Sequence, residues 1–101
     1  MSDRIVATGS FLGTGSALNI TKLGFRPRVV KLMNVASGGL CTFYWNKEMP
    51  DASAWKEANH DTAQRSFITS NGITPLANGF TVGADADMNV SGEQVYYEAH
   101  D

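Results

Sequence analysis

Apolar and polar positions alternate through most of this chain, broken every few residues by glycine, proline or asparagine. A period of two with such punctuation predicts short, half-buried strands. Asp3 to Leu12 (DRIVATGSFL) is rich in β-branched residues and has one interior glycine, so the expected strand carries a bulge or kink. Gly13 to Ser16 (GTGS) is a turn, and in Ala17 to Lys22 Leu18 and Ile20 alternate against Asn19 and Thr21. Leu23 to Val35 (LGFRPRVVKLMNV) reads as a strand entered through Pro27, which lacks the N–H that a central ladder needs. Arg26, Arg28, Val30 and Leu32 fall on one face; Val29, Lys31, Met33 and Val35 fall on the other. After a turn at Ser37-Gly38-Gly39, Leu40 to Asn46 (LCTFYWN) is the most β-prone run of all. Cys41, Phe43 and Trp45 share one of its faces, and Leu40, Thr42 and Tyr44 the other.

The pattern changes at Pro50 to Asn59 (PDASAWKEAN). Pro50 stops the preceding strand, Asp51 or Ser53 could cap, and Ala54 to Ala58 are mostly helix-compatible. One short loop helix near residues 52–59 is therefore expected. Gln64 to Thr69 (QRSFIT) returns to strand, and Ser70 to Gly79 is expected as a loop with a hairpin-like Asn71-Gly72 signal. Phe80 to Gly83 and Gln94 to His100 form the closing pair of strands, joined by a long turn of Asp, Asn, Ser and Gly. There is no internal repeat or linker. The pattern thus predicts a single all-β domain over residues 1–101, an antiparallel β-sandwich or small jelly-roll-like barrel. Strands apolar on both faces exceed what so small a domain covers by itself, so some of that surface is expected to meet another chain.

Composition narrows the class without naming a chemistry. Of 101 residues, 43% are hydrophobic and 18% charged, too apolar for a disordered chain. A lone cysteine, Cys41, has no internal disulfide partner and sits in an apolar run, so it reads as a small buried hydrophobe. The segment MSDRIVATGS lacks the apolar core of a signal peptide, and no apolar run is long enough to span a bilayer. A soluble protein made in a cytoplasm is expected. The net charge of −2 conceals an uneven distribution. Residues 1–50 carry +4, from Arg4, Lys22, Arg26, Arg28, Lys31 and Lys47 against Asp3 and Glu48, and the remainder carry −6. The basic group is too sparse for a nucleic-acid surface. Opposite charges brought together by folding, or by head-to-tail packing of subunits, explain the split more simply.

Each candidate catalytic or ligand motif in the chain has a plainer structural explanation. No Gly-x-Ser-x-Gly elbow occurs, His60 lies in a polar loop and His100 at a tail, and both read as solvated. Gly9 to Ser16 has glycines without the lysine and the helix of a phosphate loop. Asp85, Asp87, Asn89 and Ser91 alternate as oxygen ligands of a calcium loop do, yet Gly92 comes two positions late and no bidentate Glu follows. An Asx-stabilised connection is the preferred reading of that run. The formal glycosylation acceptors Asn19 and Asn89 carry no weight without a secretory signal. No catalytic residue, cofactor or metal is expected. Phe43 and Trp45 are assigned to the core; Trp55, in a polar stretch, needs a partner on its own sheet or on a neighbour.

Three segments in order carry a resemblance: TGSFLGTGSALNITKLGFRPRVVKLMNV, WNKEMPDASAWK and ITSNGITPLANGFTVGADADMNVSGEQVYYEA. Together they cover most of the chain and resemble small bacteriophage virion proteins of the head-decoration, or capsid cement, kind. The third is also similar to endings of some phage tail and fibre proteins. The likeness is one of pattern, and the Leu23-Gly24 approach and short C-terminus depart from it, which bears on a lattice contact. It implies a non-enzymatic structural protein, made in the host cytoplasm, that binds the major capsid protein on the outer capsid surface and stabilises the head. Neither nucleic acid nor membrane is implied as a partner; a second copy of the chain is a candidate. Expected contacts are the N-terminal strand by edge addition, Arg26, Arg28 and Lys31 by charge, and Met49 with Trp55 as an apolar anchor. Two alternatives stay open. One is a tail or fibre module binding receptor or baseplate. The other is a carbohydrate-binding β-sandwich in which Trp55, Tyr44 or Tyr96 stacks on sugar rings.

Overall fold

A computed structural model describes residues 5–36, 40–59 and 64–101. Eight strands follow in chain order: β1 (Val6–Leu12), β2 (Leu18–Ile20), β3 (Val29–Asn34), β4 (Cys41–Asn46), β5 (Ser53–Ala58), β6 (Gln64–Leu76), β7 (Gly79–Val82) and β8 (Gln94–His100). They form one antiparallel sheet in the order β1-β8-β3-β4-β5-β6-β7-β2, nearly closed into a barrel. Of the two predicted architectures, the chain takes the barrel. Alternation does the work expected of it. Val30, Leu32, Phe43, Trp45, Phe80, Val82 and Val95 point inward and are buried, each worth about 1.5–3 kcal/mol. Phe80 meets Tyr97 edge-on at 5.5 Å, a favoured aromatic geometry. Pro27 is buried just before β3, while Arg26 and Arg28 on either side of it are exposed.

Five local expectations are corrected. Residues 52–59 are not helical: Ser53–Ala58 is strand β5. Ala54, Lys56 and Ala58 face in while Trp55 and Glu57 face out, a period of two that pairing with β4 and β6 turns into a strand. Weak helix propensity over two turns is readily overridden by a ladder on each side. The Ser70–Gly79 loop is also largely strand, because β6 runs on to Leu76. Its ladder to β5 jumps from Ile68 opposite Ala54 to Ile73 opposite Ser53, and β6 then pairs with β7. Asn71, with φ 61°, and Gly72 form this corner. A side chain on Gly72 would collide with the Ser53 carbonyl, so the Asn-Gly pair marks a bend within a strand, not a hairpin.

The third correction concerns β1, whose ladder to β8 runs without a break from Val6 opposite His100 to Leu12 opposite Gln94. Gly9 makes no bulge; it leaves room for the Tyr97 ring lying over it. The fourth concerns the closing pair. Strands β7 and β8 share no ladder and lie at separate places in the sheet, so residues 83–93 cross an end of the barrel. His100 likewise is no solvated tail: it ends β8, half-buried, with its ring nitrogen 2.5 Å from Glu98 and its carbonyl accepting the Arg28 N–H. The expected Ser37-Gly38-Gly39 turn, Asp3, Arg4 and His60 lie outside the described residues. Among the described residues no helix is long and apolar enough to cross a membrane.

Candidate functional site

Strands β4, β5 and β6 lie side by side, and their registers place Tyr44 opposite Trp55 and Trp55 opposite Phe67. All three side chains stand on the outer face, because each strand turns its alternate residues inward. Direct cross-strand neighbours have Cβ atoms about 4.5–5.5 Å apart, so the three rings make one row across the sheet. They are left largely in water, with Tyr44 37%, Trp55 42% and Phe67 48% exposed. The row continues past Tyr44 to Lys31 on β3, Glu98 on β8 and Thr8 on β1. Beside it runs a second row of Ser10, Tyr96, Met33, Thr42, Glu57 and Arg65, in which Met33 and Tyr96 are also exposed. Thr8, Lys31, Met33, Tyr96 and Glu98 border a shallow groove of roughly 240 Å³ between the rows. Several neighbouring apolar side chains exposed on one sheet face form the kind of patch that marks an interaction surface.

The structure separates the residues expected to form an interface. Lys31 and Trp55 flank Tyr44 on the same outer row. Arg26 and Arg28 are exposed in the approach to β3. Met49 does not join Trp55 in one anchor: it is half-buried against the core, and its Sδ accepts the Asn46 N–H at 3.2 Å. Phe67 was missed by sequence reasoning, since only the β5–β6 register reveals that it stands beside Trp55. Its signal was a lone aromatic preceded by the polar residues Arg65 and Ser66.

The polar run from Asp85 to Glu93 is drawn inward instead. Lys56 points from β5 into the barrel end and pairs with Asp85 at 2.9 Å and Asp87 at 2.8 Å, its side chain only 14% exposed. Burial disfavours the charged ammonium, but the hydrogen bonds it donates to Asp87 and Asp85 outweigh that and hold its pKa above the usual lysine value. The second Asp85 oxygen accepts the N–H groups of Asp87 and Met88 at 2.9 Å each, closing a tight turn that buries Met88 completely. Asn34 donates to the Asp87 carbonyl and to Glu93. Asn89 accepts the Thr14 N–H and donates to the Ser16 and Gly83 carbonyls, which ties the connection to the β1–β2 turn. The two carboxylates thus have a cation of the protein's own as partner, and among the described residues no group of His, Cys, Asp or Glu is arranged to hold a metal. Cys41 is buried close by, and burial, aided by the Asp85 charge, pushes its thiol from an ordinary 9.0 to about 12. A thiol so weakly acidic holds almost no thiolate, the reactive form, at neutral pH.

Among the described residues no side-chain ion pair joins the two halves of the chain, although Lys31 stands directly opposite Glu98 across β3 and β8. Among the described residues, the side-chain ion pairs are Lys47–Glu48, Lys56 with Asp85 and Asp87, Arg65–Glu57 and His100–Glu98. Each joins residues of one half of the chain, so Arg26, Arg28 and Lys31 remain exposed basic groups. The chain matches no family of known proteins, no curated protein and no solved structure.

Proposed function

We propose that the protein is a non-enzymatic virion structural protein of the capsid-decoration kind. It lays the outer face of its barrel on the lattice of the major capsid protein and stabilises the head. The observation that carries this reading is the row Tyr44–Trp55–Phe67, three large rings left in water by a sheet that packs its interior well. Tyrosine and tryptophan anchors dominate interface energetics when a partner covers them. Lys31, Arg26 and Arg28 supply positive charge at the margin, where it steers and orients more than it binds. The assignment to a virion rests on the pattern resemblance of the three sequence segments, and the capsid surface, after synthesis in the host cytoplasm, follows from it.

The test is binding of the purified chain to empty capsids of the parent particle, compared with Trp55→Ala. Loss of capsid occupancy in the variant, with unchanged melting, is the expected result. Density confined to the tail in cryo-microscopy of the particle would replace this reading with a tail or fibre module. A carbohydrate-binding role is the second reading, favoured by the adjacency of Tyr44 and Trp55 on a sheet face where a sugar ring could stack. Glycan-array hits that vanish in Trp55→Ala would select it.

A further inference from the structure

We infer that β1 is a pairing edge for a second copy of this chain, which joins through an antiparallel β1–β1′ ladder centred on Gly9. The inference does not depend on what the outer face binds. The phase of the β1–β8 ladder is set at its two ends, where Gly13 N–H donates to the Glu93 carbonyl and Asp101 N–H to the Ile5 carbonyl, each at 2.9 Å. Odd-numbered residues of β1 therefore spend their backbone groups on β8. Val6, Thr8, Ser10 and Leu12 direct theirs the opposite way, and among the described residues no strand pairs with β1 on that side. Their side chains are all exposed as well.

Edge strands in folded proteins are ordinarily guarded by shortness, a charge, a proline or a bulge. The opposite edge obeys: β2 has only three residues. Strand β1 has seven, Val-Ala-Thr-Gly-Ser-Phe-Leu, with no charge, no proline and an unbroken ladder behind it. An edge so long and so bare fits a partner strand.

Its sequence fits itself. With Gly9 opposite Gly9′, Val6 faces Leu12′ and Thr8 faces Ser10′ on the outer side, while Ala7 faces Phe11′ on the inner side. Apolar meets apolar, hydroxyl meets hydroxyl, and the smallest side chain meets the largest. Every outward-directed residue then falls in a hydrogen-bonded pair, giving about eight interstrand bonds at two per pair. A slip of two residues either way leaves Val6 or Leu12 opposite nothing or a hydroxyl, and a slip of one puts the wrong backbone groups in contact. The two-fold axis stands perpendicular to the sheet at Gly9, so both outer faces point to the same side. A pair of copies would thus present two aromatic rows to one surface, the arrangement in which linked weak contacts gain most.

Sedimentation velocity of the full chain over a wide concentration range tests this. A concentration-dependent dimer is expected, weakened at least about tenfold by Ser10→Lys and by Thr8→Pro, with melting unchanged. Proline at Thr8 removes only an outward N–H, and should it unfold the chain, Ser10→Lys alone decides. Register is read by mixing Thr8→Cys with Ser10→Cys chains, which should cross-link to each other in preference to themselves, since hydrogen-bonded pairs lie about 5.5 Å apart at Cα. Buried Cys41 gives no background. A wild-type monomer at every concentration, or a dimer that Ser10→Lys leaves intact, overturns the inference. So does a monomer whose β1 variants lose capsid binding, for the edge would then belong to a capsid strand.

Discussion

Trp55 and Lys56 are neighbours on one strand and opposites in setting. The indole, which water rejects, is turned out; the ammonium, which water would hold, is turned in. Inside, each polar group has partners: Lys56 has two carboxylates, Asn34 two acceptors and Asn89 three bonds, and no described buried side-chain N or O atom lacks a hydrogen bond. Outside, the aromatic row has neighbours but no cover. A completed network explains itself as structure, because its members cost more apart than together. An uncovered row of rings contributes little to the fold and so points to a partner. The two faces should therefore respond oppositely to mutation, one in stability and the other in binding.

The largest effect is expected from Lys56→Ala, which strands two carboxylates in the barrel end and should cost about 3–5 kcal/mol in urea unfolding. Replacing all three charges, as Lys56→Met with Asp85→Asn and Asp87→Asn, should recover most of that loss. If the single variant melts like the parent, the inner cluster is decoration and the contrast collapses. Asn89→Ala should cost about 1–3 kcal/mol by leaving the Thr14 N–H and two carbonyls without their partner, visible as a lower melting temperature. Unaltered melting would show that water replaces the amide.

Alkali should come next. A thiol held near 12 inside but ordinary when unfolded keeps its contribution below about 9 and loses it as the pH climbs toward 12. The raised Lys56 pKa acts in the same direction, since its contribution is complete below the ordinary lysine value and is lost as pH rises through the folded one. Stability should fall by about 1.4 kcal/mol per pH unit for each proton involved, and Cys41→Ala should flatten the earlier part of the decline. A parent chain equally stable at pH 8 and pH 10.5 would contradict this. The smallest stability change belongs to Trp55→Ala, within about 1 kcal/mol because exposed cross-strand pairs are worth no more. That same variant should nonetheless show the greatest loss of binding to the proposed capsid partner among these variants. A large drop in melting would instead place Trp55 among the residues that hold the barrel together.

How far these faces could be read from sequence depended on what each required. Period-two alternation revealed the strands from Leu18 to Asn46, because inside and outside are encoded residue by residue. At Ser53–Ala58 the same alternation was present but short, and alanines on the inner face looked like helix formers when they were needed for a crowded interior. Asn71-Gly72 carried a true signal of positive φ, but a corner in a strand and a hairpin turn make the same demand on the backbone. The aromatic row was half visible. Trp55 stood out as a ring with no evident core place and Tyr44 entered only as a candidate for stacking on a sugar, whereas Phe67 required the register, which depends on pairs far apart in the chain. Lys56 gave no hint of its inward position, since one lysine in a polar stretch looks the same on either face.

The place of β8 in the sheet has a consequence in time. This strand lies between β1 and β3 and, among the described residues of the chain, is the one that β1 pairs with, so Val6–Leu12 waits for that ladder until Gln94–His100 has been synthesised. Residues 13–93 must all be made before β1 finds that neighbour. Closing so large a loop makes folding slow for a protein of this length. For that interval the cell holds a chain with an open slot beside β3, which is when chaperones would find the most to grip.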